Sequence, residues 1–147
     1  MANIQIIQGD IFDVPRGTYI AHGISGDFSL GAGLAKKIDE RYNMRYKLFL
    51  KYPFDPGKNN GYVGKALLID DVFNLVDKSH YKQKLDLNDL MIALEDMKAQ
   101  CADLSVKKIA MPKIGTGHDH MNWVDVLDII EDTFADCDDM EINIYEL

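Results

Sequence analysis

The chain has 147 residues, is 47% hydrophobic and carries a net charge of −8, so a single domain with a full core is expected and a basic coat for generic DNA or RNA binding is excluded. Its two cysteines, Cys101 and Cys137, show neither a disulfide framework nor zinc-ligand spacing, which points to a reducing compartment, the cytoplasm. No signal peptide is expected, because Asp10 and Asp13 interrupt the first apolar run, and no apolar stretch approaches the ~20 residues that span a bilayer.

Ile4 to Gln8 is a β-type run that ends at Gly9-Asp10-Ile11. Ligands of open α/β sheets sit beyond the carboxyl ends of strands. Asp10 placed there can accept a hydrogen bond from an exocyclic amine such as that of adenine, with the Ile11 N–H serving a ring nitrogen; it can equally cap the turn. Thr18 to Ile24 reads as a second strand, with His22 as a hydrogen-bonded structural histidine. Between Ser25 and Ala35, the small residues around Gly31, Ala32, Gly33 and Leu34 leave room for a pyrophosphate at a helix N-terminus. Close packing of helix on sheet is the other reading. The stretch is not a dinucleotide fingerprint, since Lys36 occupies the third glycine position, and no Gly-Lys-Ser/Thr marks a P-loop.

A helix is expected over Gly31 to Tyr52, where Leu34, Ile38, Tyr42, Tyr46 and Leu50 recur at helical spacing. Pro53 to Gly61 reads as a loop. Tyr62 to Ile69 and Val72 to Val76 form a hairpin-like pair joined at Asp70-Asp71. Lys78 closes the second of these strands. A lysine there is ordinarily solvated, but in a desolvated cleft it becomes a nucleophile toward a sugar's anomeric carbon. Lys82 and Lys84 are rivals that only geometry separates, and Tyr81 is either a base-stacking or a surface aromatic. Leu87 to Leu104 is an amphipathic helix with Leu87, Leu90, Met91, Leu94, Met97 and Cys101 on one side and Asp86 as its N-cap.

Lys107 to Met111 is a strand that runs into Pro112-Lys113-Ile114-Gly115-Thr116-Gly117-His118-Asp119. The glycines let backbone N–H groups approach an anion, and a helix from Asn122 to Ala135 is expected to add its positive end. Asp119 sets a carboxylate at the lip of that cradle. His118, Asp119 and His120 are too close in sequence to converge on a metal ion. Trp123 packs as core or covers the ligand's sugar edge. Val126, Ile129, Ile130 and Phe134 face inward, and Glu141 to Tyr145 is the last strand. The acidic group Asp136, Asp138 and Asp139 reads as a solvated turn. Alternating strands and helices give a three-layer α/β/α domain over residues 1–147, with a mixed central sheet.

The ordered motifs Gly9-Asp10-Ile11, Ala21-His22-Gly23-Ile24-Ser25, Gly31-Ala32-Gly33-Leu34-Ala35 and Pro112 to Asp119 resemble those of a macrodomain over essentially the whole chain. The Ile114 to Asp119 loop followed by Trp123 is most similar to the subfamily holding the terminal ADP-ribose protein glycohydrolase and the antitoxin that removes ADP-ribose from DNA. The resemblance implies ADP-ribose binding: Asp10 and Ile11 at adenine, Ser25 and Gly31 to Ala35 as one phosphate-side loop, and Gly115, Thr116, Gly117 and His118 as the other. It implies Lys78 and Asp119 as the catalytic pair, with no metal and no cofactor. Many hydrolytic macrodomains carry Asn-Ala-Ala-Asn where this chain has Ala21 to Ser25, so a scheme built on that asparagine does not transfer.

The expected activity is removal of ADP-ribose from a carboxylate ester, an O-acetyl group or a nucleobase on a protein, metabolite or DNA, by a monomer without membrane contact. The competing readings are a module that binds ADP-ribose without cleaving it, an ADP-ribose 1″-phosphate phosphatase, and an unrelated nucleotide-binding domain.

Overall fold

Val72, Phe73, Leu75 and Val76 are buried on both faces of one strand, the pattern of a central strand covered above and below. The computed structural model describes residues 1–53, 59–117 and 119–146. Of the loop expected between Pro53 and Gly61, residues 54–58 lie outside the described residues, as does the expected ligand contact His118. The strands are β1 (Asn3–Gln8), β2 (Tyr19–Ser25), β3 (Ala66–Ile69), β4 (Val72–Lys78), β5 (Lys108–Pro112) and β6 (Glu141–Glu146). The helices are α1 (Gly33–Tyr42), α2 (Met44–Lys51), α3 (Leu87–Leu104) and α4 (Trp123–Thr133).

The six strands form one sheet in the order β1-β6-β5-β2-β4-β3. All neighbours run parallel except β3, which pairs antiparallel with β4 through the turn at Asp70-Asp71. Two cores sandwich this mixed sheet. On one face Ile38 of α1 and Met44 and Leu48 of α2 meet Ile20, Ile24, Val72 and Val76. On the other, Leu90, Leu94 and Met97 of α3 and Val126, Ile130 and Phe134 of α4 meet Phe73, Leu75, Ile109 and Met111. Each such fully buried side chain contributes roughly 1.5–3 kcal/mol. The domain is therefore the expected three-layer α/β/α arrangement.

Four local features differ from expectation. The long helix breaks at Asn43, whose φ of 55° is left-handed and ends α1. The break rotates the apolar stripe, so Met44 and Leu48 are buried while Tyr46 and Leu50 are 59% and 66% exposed. The strand expected from Tyr62 begins only at Ala66, because Lys65 N–H bonds the Tyr62 carbonyl in a turn. On α3, Ala93 takes the inward place given to Met91, which is exposed.

Asp86 does cap α3, accepting from the N–H groups of Asn88 and Asp89 at 2.9 and 3.1 Å. Asp86→Ala is expected to cost about 1 kcal/mol, read as a lower urea midpoint with an unchanged m-value. Cys101 and Cys137 are free thiols. Among the described residues no helix is long and apolar enough to cross a membrane.

Candidate active site

The chain leaves β2 for the α1–α2 face and leaves β5 for the α3–α4 face, and these two strands are neighbours. Such a switch of direction opens a crevice at the carboxyl ends of the strands. A cavity of about 790 Å³ occupies that place, walled by Ser25, Gly31 to Ala35, Asp77, Lys78, Pro112 to Gly115, Gly117 and Asp119. That volume lies within the roughly 300–1,000 Å³ typical of small-molecule sites.

The first wall is the loop between β2 and α1. Phe28 and Leu30 take positive φ values of 53° and 40° and drive their side chains into the core, leaving mainly backbone and small side chains toward the cavity. Gly33 opens α1 at φ +59°, and its N-cap Ala32 offers no side-chain hydrogen bond. Lys36 N–H is the first to bond back, to the Ala32 carbonyl at 3.3 Å. The N–H groups of Gly33, Leu34 and Ala35 thus have no helical partner, and with the helix dipole they make an anion seat. Ser25 also lines the cavity, but its hydroxyl donates to Asp27 Oδ1.

The second wall is the loop between β5 and α4. Ile114 N–H turns back to the Pro112 carbonyl at 2.8 Å, and Thr116 bonds the Lys113 carbonyl through both its N–H and its hydroxyl. Gly115 has φ +82°, and a Cβ there would stand 3.2 Å from Leu85 and Met121, so only glycine fits without strain. Gly115 and Gly117 line the cavity, whereas the Thr116 side chain is turned to its own loop. The expected helix end is not part of this wall. Asn122 caps α4 with its own Oδ1, which accepts from Val124 N–H, and α4 starts four residues past Asp119. This loop contributes peptide groups, not a dipole end.

Between the walls, Lys78 Nζ donates to both carboxylate oxygens of Asp119 at 2.8 Å. Asp119 Oδ1 also accepts the Leu85 N–H at 2.9 Å. The two side chains are only 11% and 10% exposed. Burying such a pair gains little net stability, because desolvation offsets the attraction; its place on a cavity wall gives it a chemical reading instead. Of the three rival lysines only Lys78 meets a carboxylate here: Lys82 lies over the Tyr81 ring and Lys84 lines a smaller neighbouring cavity.

Asp10 and Ile11 do not line the cavity. One Asp10 oxygen caps the turn Ile11–Asp13 by accepting from Phe12 N–H, and Ile11 is buried. That turn packs against β5 and shares a core with Leu34 and Ala35 of α1. Tyr81 lines the cavity, stacked on His80, while Trp123 packs on the core away from it. Among the described residues no group of His, Cys, Asp or Glu is placed to hold a metal ion.

Two residues escaped the sequence reading. Asp27 ties the first loop to the segment after β4, accepting from Ser25, from Ser29 N–H and from Tyr81 N–H at 3.1 Å, with His80 Nε2 at 3.7 Å. Tyr81 lies 54 residues away in sequence, and nothing local announces that contact. Asp77 is 2% exposed, and its Oδ1 has no partner among the described residues. Burial above all pushes its carboxyl up to about 7; Lys78 opposes the rise and Asp119 adds to it.

The folded state keeps Asp77 protonated where the unfolded chain has ionised it, so stability present at low pH is lost as pH climbs toward 7. Asp77→Asn is expected to be more stable than wild type by a margin that opens between about pH 4 and pH 7 and is flat above, with an upper limit of about 4 kcal/mol. Urea titrations at pH 4, 6 and 8 would show it; a constant margin would contradict it. His22 has the opposite sign. It is buried against Asn74 Oδ1 at 2.6 Å and pushed down to about 4 by burial, so it withdraws stability as pH falls below its ordinary range.

These features define a three-layer α/β/α domain with a cleft flanked by two glycine loops and an ion pair set into its wall. The human ADP-ribose glycohydrolase OARD1 is 31% identical over 149 residues, covering 99% of this chain and 93% of that protein. The macrodomain of Mycobacterium tuberculosis DarG superposes with a TM-score of 0.82 at 19% identity, over 100% of this chain and 99% of that one. Thermosipho africanus DarTG in complex with ADP-ribose gives 0.74 at 17% identity, over 99% of this chain and 42% of that one. No family model matches the sequence. The chain belongs to the macrodomain family, in company with ADP-ribose glycohydrolases.

Proposed function

We propose that this protein is an ADP-ribosyl hydrolase that frees ADP-ribose from an acceptor by a Lys78–Asp119 mechanism. The observation that carries the reading is the buried ion pair on the wall of a cavity flanked by two glycine-bearing loops. A module that only holds its ligand has no use for such a pair.

In this reading the diphosphate lies between the N–H groups of Gly33 to Ala35 and those of Gly115 and Gly117, held by fixed dipoles with no metal. The adenine extends past the cavity mouth toward Asp10, whose second oxygen is not used by the cap. The distal ribose reaches Lys78. Lys78 passes its proton across the 2.8 Å contact to Asp119, and its free amine attacks the anomeric carbon. The bond from carbon to acceptor breaks, and the acceptor leaves with the electron pair and the proton that Asp119 holds. Water then hydrolyses the bond between Nζ and carbon, restoring Lys78 and releasing ADP-ribose.

The acceptor is decided by experiment. The protein is incubated with ADP-ribosylated carboxylate, serine, nucleobase and acetyl substrates and with ADP-ribose 1″-phosphate, and free ADP-ribose and phosphate are measured. Release of ADP-ribose from at least one acceptor supports the proposal. Tight binding of ADP-ribose with no product from any of them shows a reader, and turnover confined to the 1″-phosphate shows a phosphatase.

A further inference from the structure

Lys78 and Asp119 carry the chemistry just described, and one carboxyl beside them has no task in it. Asp77 immediately precedes Lys78 on β4 and forms part of the same cavity wall, yet it is 2% exposed and its Oδ1 is unpartnered among the described residues. Its place depends on Gly23 of β2: a Cβ there would collide with Asp77 Oδ2 and stand 3.4 Å from its Cγ. The gap at Gly23 is filled by a carboxyl group, although an apolar side chain in that gap would avoid the cost of burying it.

The charged groups around Asp77 come from three elements: Lys78 on its own strand, Asp119 from the loop after β5, and Asp89 from α3. Asp86 N–H bonds the Asp77 carbonyl at 3.2 Å, and the Asp86 side chain is committed to the α3 cap. β2 and the β5 loop present Gly23 and Ile114, neither of which titrates. His22 lies on the opposite face of β2, bonded to Asn74.

We propose that Asp77 is a positioning residue acting through Lys78: its carboxyl, seated in the gap that Gly23 leaves, is the charge that decides whether the neighbouring ammonium stays paired or is released for attack. The inference rests on the hydrolase reading of this site. With Asp77 neutral, the ammonium faces one carboxylate, Asp119. Transfer of its proton across that contact leaves an uncharged amine beside two uncharged acids. With Asp77 ionised, the ammonium faces two carboxylates, and the added negative charge holds the proton on nitrogen. It also sets a like charge beside an incoming diphosphate. Because burial brings Asp77 to about 7, the change falls in the neutral range.

The test is the pH dependence of Lys78 labelling by acetic anhydride, followed by mass spectrometry of its peptide in wild type and Asp77→Asn. The half-maximal pH is expected to be lower in the variant than in wild type, and turnover at pH 8 to rise several-fold. Superimposed labelling curves would overturn the proposal, since a merely structural Asp77 changes stability without moving them. Should the variant not fold, the wild type suffices: the ¹³Cε resonance of Lys78 is expected to shift in step with the ¹³Cγ resonance of Asp77, and independent titrations would overturn the coupling. Displaced labelling curves without cleavage of any ADP-ribosylated substrate would support the coupling while refuting the hydrolase reading.

Discussion

Asp119→Ala is expected to lower release of ADP-ribose by roughly 10³-fold while leaving affinity for free ADP-ribose within a few-fold. The separation follows from the geometry. In the proposed mode binding rests on the N–H groups of the two loops, whereas Asp119 bonds Lys78 and Leu85 N–H. The chemistry needs a group that takes the Lys78 proton at 2.8 Å and returns it to the acceptor. Alanine also strands the Lys78 ammonium at 11% exposure, and removing one partner of a buried pair costs about 3–5 kcal/mol. Asp119→Asn separates the two effects, because its amide oxygen still accepts from Leu85 N–H but takes no proton. Calorimetry with ADP-ribose and initial rates on the best acceptor decide the matter. An alanine or asparagine variant that turns over within tenfold of wild type removes Asp119 from the mechanism.

Lys78→Ala is expected to lose at least as much, roughly 10³-fold or more, since among the described residues no other lysine meets the carboxylate and the covalent route needs the amine itself. Groups that act as one unit give strongly non-additive losses. The double variant Lys78→Ala, Asp119→Ala should therefore be no slower than the worse single one. It should also be more stable than Asp119→Ala, because no unpaired ammonium remains. Multiplicative loss in the double variant would mean that the two side chains serve separate steps.

Most of the architecture could be read from local patterns, because the glycine loops and the apolar runs carry their own signals. Val72 to Val76 announced the second strand of a hairpin, and Asp86 announced the start of α3 by residue type alone. The break at Asn43 was masked because the apolar spacing from Leu34 to Leu50 runs through it unchanged. Only the left-handed conformation of Asn43 shows that Met44 and Leu48, not Tyr46 and Leu50, meet the sheet.

The candidate site was legible in its loops, in Asp119 at the close of the glycine loop and in Lys78 at the end of β4, although only geometry separates Lys78 from Lys82 and Lys84. It was not legible in Asp77 or Asp27. Asp77 beside a lysine reads as a solvated pair, and its burial depends on Gly23, which reaches it only through strand pairing between β2 and β4. Asp27 bonds Tyr81 N–H across 54 residues. The helix after the second loop does begin where expected, at Asn122, but its end does not line the cavity, because its cap lies beyond Asp119 and bonds Val124 N–H.

In the proposed binding mode one ligand is clasped by the amides of both loops with its sugar at Lys78. The most direct measurement is a titration of ¹⁵N-labelled protein with ADP-ribose, following backbone resonances. The amides of Gly33, Leu34, Ala35, Gly115 and Gly117 are expected to shift together along one saturable curve, and the Lys78 amide with them. Saturable binding that leaves either loop unmoved, or shifts confined to α2 and β3, would contradict the account.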